Sequence, residues 1–419
     1  MSSPQYYIGL MSGTSLDAID VALVDISSVH DVALVAFSSL ALPSDIKSQL
    51  KHLSFEADIQ VQTLGETSVQ LAHLFSDAIN TLLSTRDITA DQVIAIGSHG
   101  LTIRHNPNTK FPFSLQITDA NLLAQLTGID VISDFRNMDM AVGGQGAPLV
   151  PAFHQAMFGS NSKFETSIFD TSTAESSMQD TTKQATRSNH ASDNQTTQSK
   201  ECVVLNLGGI ANITVLSSAS EILGYDTGPA NTLLDSWCEM HTGTPYDENG
   251  DWASKGKVVD DLLSVMLTEP YFDLQPPKST GKELFNLNWL NRQLAAHAVK
   301  IGSQINDIPV TPQDIQRTLL ELTVVTAATQ INKFSQIKTL YICGGGVHNR
   351  FLISQLRAQL PGFTIQSTDE VGINSDALEA MAFAWLAYCR VNLISANSPS
   401  VTGATKKIIM GSWYSAKTE

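Results

Sequence analysis

The residues most capable of chemistry in this 419-residue chain begin with Met11-Ser12-Gly13-Thr14-Ser15-Leu16-Asp17, set between two apolar runs. The arrangement predicts strand, polar glycine turn, strand. Gly9 and Gly13 allow a tight turn and close backbone approach to a ligand, while Ser12, Thr14 and Ser15 offer hydroxyls and N–H groups suited to phosphate oxygens. Asp17 or Asp20 then stands where a divalent metal, or a water beside those phosphates, could be held. A Walker A loop would need Gly-Lys-Ser/Thr, and the dinucleotide fingerprint would open a helix where a strand follows here. A β-hairpin whose turn is merely polar is the competing explanation.

Cys202 to Leu216 repeats the pattern, with Asn206-Leu207-Gly208-Gly209-Ile210-Ala211-Asn212 as its turn region. Two such hairpins are what two facing lobes gripping one triphosphate would need; two unrelated hairpins would look the same at this level. After the second, a strand Ile222–Tyr225 delivers Asp226 just before a helix expected from about Thr232 to Met240. A carboxylate there suits a general base, close to negative charge that a helix end could stabilise. It could also cap the helix, although Asn231 is nearer for that role. A strand at 339–343 runs into Gly344, Gly345 and Gly346, which leave room for a flat purine and ribose against backbone. Glu379 sits on a predominantly apolar helix, either on an exposed face or partly buried with a raised pKa.

Among the basic groups, Arg104, Arg136 and Lys278 are candidates for a local positive potential in an acidic chain. Arg136 follows the strand at 129–133 and suits a carboxylate or phosphate, with an ordinary ion pair to Asp134 or Asp139 as the alternative. His99 follows the buried strand at 93–97, where ligands of α/β sheets gather, or is a satisfied structural histidine. Lys278 lies in the loop Pro276-Pro277-Lys278-Ser279-Thr280 and could reach a sugar or phosphate, or stand solvated. The elements positioning these groups alternate strand and helix signals, including a helix over 67–83 and another over 311–332.

In ordered combination these motifs resemble the anhydro-N-acetylmuramic acid kinases, a branch of the actin, Hsp70 and hexokinase-like phosphotransferases. The resemblance rests on Met11 to Asp17, Ser98-His99-Gly100, Asp134-Phe135-Arg136, Gly143-Gly144-Gln145-Gly146-Ala147-Pro148, Asn206 to Gly209, Tyr225-Asp226-Thr227-Gly228-Pro229 and Cys343 to Gly346. It implies an α/β fold with two lobes of ribonuclease-H-like (actin/hexokinase-like) architecture around a nucleotide cleft. It further implies ATP with magnesium, bound through Gly13, Thr14, Ser15, Leu16, Asp17, Ala18, Ile19 and Asp20, through Gly208, Gly209 and Asn212, and through Gly344, Gly345 and Gly346. Asp226 becomes the catalytic base, Glu379 a residue that positions water, and His99, Arg136 and Lys278 substrate contacts. The implied reaction opens the 1,6-anhydro ring of anhydro-N-acetylmuramic acid and phosphorylates it. A plain sugar kinase acting on a free hydroxyl, or an ATP-gated binding protein without catalysis, would share the fold.

The length argues for two domains: 1–140 as a first lobe, 141–395 as a second, and 396–419 as a terminal segment able to return to the first. The Gly143–Gly146 loop suggests a hinge. Residues 159–200 turn abruptly to Ser, Thr, Asn, Gln and Asp, a polar insertion with too little apolar surface to offset ordering. Acidic residues outnumber basic ones 41 to 25, which argues against sequence-independent nucleic-acid binding. Four scattered cysteines without C-x-x-C spacing read as reduced core thiols. No signal peptide or apolar run of about 18 residues is present, so the cytoplasm is the expected location, and the resemblance suggests a homodimer.

Overall fold

A computed structural model describes residues 4–13, 18–56, 58–159, 201–302 and 310–417. Thr14, Ser15, Leu16 and Asp17 of the first glycine turn, and 160–200 of the polar insertion, lie outside the described residues. The first sheet opens as an antiparallel meander of β1 (Tyr6–Met11), β2 (Ala18–Ser28) and β3 (Asp31–Ala41). β4 (Val93–Ser98) then joins β1 in parallel. A separate hairpin of β5 (Leu101–Asn106) and β6 (Phe113–Ile117) precedes β7 (Val131–Ser133), which runs parallel to β4.

The second sheet repeats this plan. β8 (Cys202–Leu207), β9 (Ile210–Leu216) and β10 (Leu223–Pro229) form an antiparallel meander, β11 (Thr339–Cys343) pairs in parallel with β8, and β12 (Thr364–Ser367) with β11. In each sheet the spatial order is third, second, first, fourth, fifth strand. This is the duplicated ribonuclease-H-like architecture of two α/β lobes. β13 (Ser412–Tyr414) extends the first sheet by pairing antiparallel with β7, so the chain end returns to the first lobe.

Central strands carry the apolar runs that burial on two faces requires. β8, Cys-Val-Val-Leu-Asn-Leu, is buried at every position, and β1 is buried at its four inner ones. The helix Pro312–Ile331 starts where its sequence dictates: Thr311 accepts from the Asp314 N–H and the Asp314 carboxylate accepts in return, with proline in the first turn. The helix expected over 67–83 extends further back, to Val61–Ser84.

Each lobe has its own apolar core, and a third cluster joins them. That shared cluster contains Tyr7 and Ile132 of the first sheet, Val204 and Tyr341 of the second, and much of the helix Leu378–Val391. The helix lies against β1, β2 and β4, so the lobe boundary at 395 does not follow the packing. Glycines make that contact possible. A Cβ on Gly9 would overlap the carbonyl oxygen of Ala380, and one on Gly97 that of Phe383. Gly9, expected to approach a ligand, therefore lacks a side chain because a helix crosses it.

Candidate active site

The first lobe contributes an imidazole and a guanidinium. β4 ends at Ser98 and delivers His99, while β7 ends one residue before Asp134, whose left-handed backbone (φ 60°) turns the chain into the helix Phe135–Met140. Arg136 Nε donates to His99 Nε2 at 3.0 Å, and its Nη1 donates to the Gly146 carbonyl at 2.8 Å. With Nε2 accepting, His99 carries its proton on Nδ1 and donates to the Gly100 carbonyl, 2.9 Å away. Burial, then the Arg136 charge, holds the ring far below its ordinary pKa and neutral. The ion pair weighed for Arg136 does not form. Asp134 accepts from Asn137, and buried Asp139 accepts from the Gly146 N–H, Asn397 and Thr402. The carboxylates whose fields act on Arg136 are Asp226 and Glu379.

The second lobe contributes those fields. β10 runs on to Pro229, so Asp226 lies within the strand, at a bulge, rather than at its end. The Thr280 N–H donates to the Asp226 carboxylate Oδ2 at 2.8 Å. Burial raises the Asp226 pKa to about 7, against the Thr280 hydrogen bond, Arg136 and Lys278, which favour the anion, while Glu283 opposes it. A base titrating near neutrality is suited to proton abstraction.

Lys278, expected as a substrate contact, is instead an internal cation. Its Nζ donates to the carbonyls of Tyr271 and Phe272 at 3.2 and 3.4 Å and lies 4.7 Å from the Tyr271 ring centroid. Burial lowers its pKa to about 8; its charge acts on Asp226 through space, while its carbonyl accepts the Asp226 N–H at 3.4 Å. Arg104 is also spent on backbone: its guanidinium donates to the carbonyls of Leu53, Ser54 and Glu56, closing the C-terminus of the helix Ser44–Phe55.

Strand register assembles the rest. Asp226 pairs with Asn212, Asn212 with Asn206, and Asn206 with Cys343, a row across four strands of the second sheet. Asn206 Nδ2 donates to Glu379 Oε1 at 2.8 Å. Burial raises the Glu379 pKa while that bond and Arg136 counter it. Asn206, a polar residue in an otherwise apolar strand, is the contact that sequence reasoning passed over, and that polarity was its signal. Asp20 is brought near the same carboxylate: burial raises its pKa to about 6, Ser39 opposes, and Glu379 and Asp376 add to the rise. Ile19 is fully buried in the first core, whereas the Ala18 carbonyl accepts from Ser12 Oγ at 3.0 Å.

The glycine loops divide by purpose. A Cβ on Gly344 would overlap Asn206 Oδ1, and one on Gly346 would lie 2.6 Å from Leu207 Cβ, so both are shaped by the end of β8. A Cβ added to Gly345 would meet no atom closer than 3.9 Å, and one added to Gly208 none closer than 3.6 Å, which leaves room on that side of each backbone. The carbonyls of Gly208 and Gly209 accept the N–H groups of Asn231, Ala230 and Thr232. The glycine turn therefore occupies the N–H groups of Ala230 and of the first two residues of the helix Asn231–Thr242. Its cap is Ala230, not Asn231, whose side chain donates to the Leu207 carbonyl.

Among the described residues no three His, Cys, Asp or Glu side chains converge as a metal cage. Asp20 alone, acidic and beside a second carboxylate, fits magnesium in the form that keeps most of its waters and takes one or two carboxylates plus phosphate oxygens. A polar cavity of about 340 Å³, lined by Ser114, Gln116, Asp134, Asn137 and Tyr414 among others, includes none of Asp20, Arg136, Asp226 or Glu379.

Comparison with known proteins identifies the family. The chain is 44% identical over 413 residues to the anhydro-N-acetylmuramic acid kinase of Haemophilus influenzae, covering 98% of both chains. It is also 44% identical to the Pasteurella multocida enzyme of that name, over 98% of this chain and 96% of the other. Likeness to solved structures is remote: the activator of the 2-hydroxyisocaproyl-CoA dehydratase from Clostridium difficile shares 9% identity at a TM-score of 0.41, covering 93% of this chain and 96% of that one. The profile of the family described as anhydro-N-acetylmuramic acid kinase matches residues 5–170 and 189–416, leaving only the middle of the polar insertion between its two segments. The chain belongs to the anhydro-N-acetylmuramic acid kinase family.

Proposed function

We propose that Asp226 and its neighbours carry out the family's reaction, the ATP-dependent conversion of 1,6-anhydro-N-acetylmuramic acid to N-acetylmuramic acid 6-phosphate and ADP in peptidoglycan recycling. The observation that carries the assignment is a buried carboxylate titrating near 7, held by the Thr280 N–H within the field of Arg136. Asp226 takes a proton from a water that attacks C1. The C1–O6 bond breaks, O6 receives the γ-phosphoryl group, and the proton on Asp226 returns to solvent. Glu379, oriented by Asn206, positions the water. Arg136, itself oriented by His99 and Gly146, binds the anionic sugar.

The triphosphate lies along the backbones of Gly13, Gly208, Gly209 and Gly345, of which Gly208 and Gly345 have room for it, with Asn212 beside them. Asp17 or Asp20 would hold magnesium, which when bound supplies charge neutralisation to the phosphates. Catalysis rests on positioning and on preorganised charge. The lobes meeting near residue 140 would close around both substrates, hinging at Gly143–Gly146. We further infer a cytoplasmic homodimer, which light scattering of the purified protein checks.

The deciding experiment is mass spectrometry of the product formed from the anhydro sugar and ATP in oxygen-18 water. One phosphoryl group plus one labelled oxygen establishes ring opening coupled to transfer. Phosphate without label would mean a plain kinase, and ATP turnover independent of sugar would mean a nucleotide-gated binding protein.

A further inference from the structure

His105 lies on β5 directly opposite Ser114 of β6, and its Nδ1 stands 2.9 Å from the Ser114 hydroxyl. That hydroxyl is fixed in turn. Gln116 Nε2 donates to it at 2.8 Å, and the Ser114 N–H donates to Asn137 Oδ1 at 3.1 Å, which ties the hairpin to the helix carrying Arg136. The Ser114 hydroxyl, which accepts from Gln116, can give its own proton to Nδ1, and in that tautomer the imidazole proton is on Nε2. Yet Nε2 is buried and, among the described residues, has no hydrogen-bond partner. Buried polar atoms are nearly always paired, and one that is not calls for an explanation.

The surroundings supply it. Burial and then the Arg136 charge push the His105 pKa down to about 3, so the ring stays neutral and keeps one donor. The neighbouring imidazole has nothing left to offer, since His99 uses both nitrogens on Gly100 and Arg136. A neutral N–H within the field of an arginine is suited to an anion: the guanidinium attracts the charge, and the imidazole fills a lone pair that the planar fork leaves open. We propose that His105 is a specificity-determining residue whose Nε2–H donates to the lactyl carboxylate of the sugar, with Arg136 supplying the charge. This rests on the muramic acid reading of the site, because that carboxylate is what separates the substrate from other anhydro amino sugars.

The test compares wild type, His105→Phe and His105→Gln on 1,6-anhydro-N-acetylmuramic acid and on 1,6-anhydro-N-acetylglucosamine, which lacks the lactyl group. His105→Phe should raise KM for the muramic sugar about 10- to 100-fold, the loss of one charge-assisted hydrogen bond. KM for the lactyl-free sugar and for ATP should stay within about twofold. His105→Gln, which restores an N–H, should recover part of the loss. Equal losses on both sugars, or no loss on either, would overturn the proposal. If the wild type turns over neither sugar, the substrate reading falls. Nitrogen-15 NMR of the wild type titrated with lactate then decides His105 alone: a shifted Nε2 resonance supports it and an unmoved one overturns it.

Discussion

The two lobes are built on one strand plan and use it for opposite purposes. In the first sheet, the glycines of the central strands, Gly9 and Gly97, let a helix from the far end of the chain lie on the sheet. The groups it sends towards the site are a neutral imidazole and a guanidinium. In the second sheet, the corresponding meander carries Asn206, Asn212 and Asp226 in a row that Cys343 of β11 continues, and its glycine turn caps the helix that follows. The duplication supplies a scaffold with two cleft-facing ends, and the chemistry comes from the few polar residues that differ between them.

The contrast is broken most severely at Asp226. Asp226→Asn should cut turnover about 10²- to 10⁴-fold with ATP affinity nearly intact, as single-turnover assays and calorimetry would show. In the wild type, kcat/KM for the sugar should rise with pH and level off above about 7, where the carboxyl is ionised. Near-normal turnover of the variant would remove Asp226 from the role.

Arg136 tests the other side. Arg136→Lys keeps the charge but not the fork that holds His99 and Gly146. We expect kcat/KM for the sugar to fall about 10- to 100-fold and KM for ATP to hold, by steady-state kinetics.

Stability gives two finer tests. The folded pKa of Asp226, about 7, lies above its ordinary 3.8, so the native state holds this proton longer than the unfolded chain. This group's contribution therefore makes stability fall as pH rises from about 4 to 7. Asp226→Asn should remove that loss, stabilising the protein by roughly 1 to 4 kcal/mol at pH 8 and little at pH 4, in denaturant titrations. Gly9→Ala should cost about 1 to 3 kcal/mol through the Ala380 overlap, whereas Gly208→Ala, with 3.6 Å of room, should stay within about 0.5 kcal/mol. Equal costs would mean that the helix is not seated on Gly9 as described.

The smallest effect is expected from deleting 171–188, the stretch between the two matched segments of the family profile. Turnover and both KM values should stay within about twofold, because the profile resumes on either side. Loss of activity in a folded variant would give the insertion a catalytic part.

Much of this was legible beforehand, because strands and glycine turns are local patterns. The paired hairpins follow from apolar runs punctuated by glycine, and Asp226 stood out as an acid at the end of an expected strand. Lys278 misled because a loop lysine next to Ser and Thr looks solvated until Tyr271 and Phe272 are folded over it. Gly9 misled because a glycine needed for backbone proximity does not say whether a ligand or a helix comes close. The bulge that moves Asp226 into the strand leaves no mark in composition.

The sequence by itself determined the two strand–glycine turn–strand hairpins, the buried strand at 93–97, the strand at 339–343 and the identity of the acids and bases. These depend on residue type and on a two-residue or 3.6-residue period. Only the tertiary structure decided which of them meet. Asn206 reaches Glu379 across 173 positions of chain, and Asp226 titrates near neutrality because residues far along the sequence bury it. Burial and charge fields depend on distance in space, which local pattern does not encode.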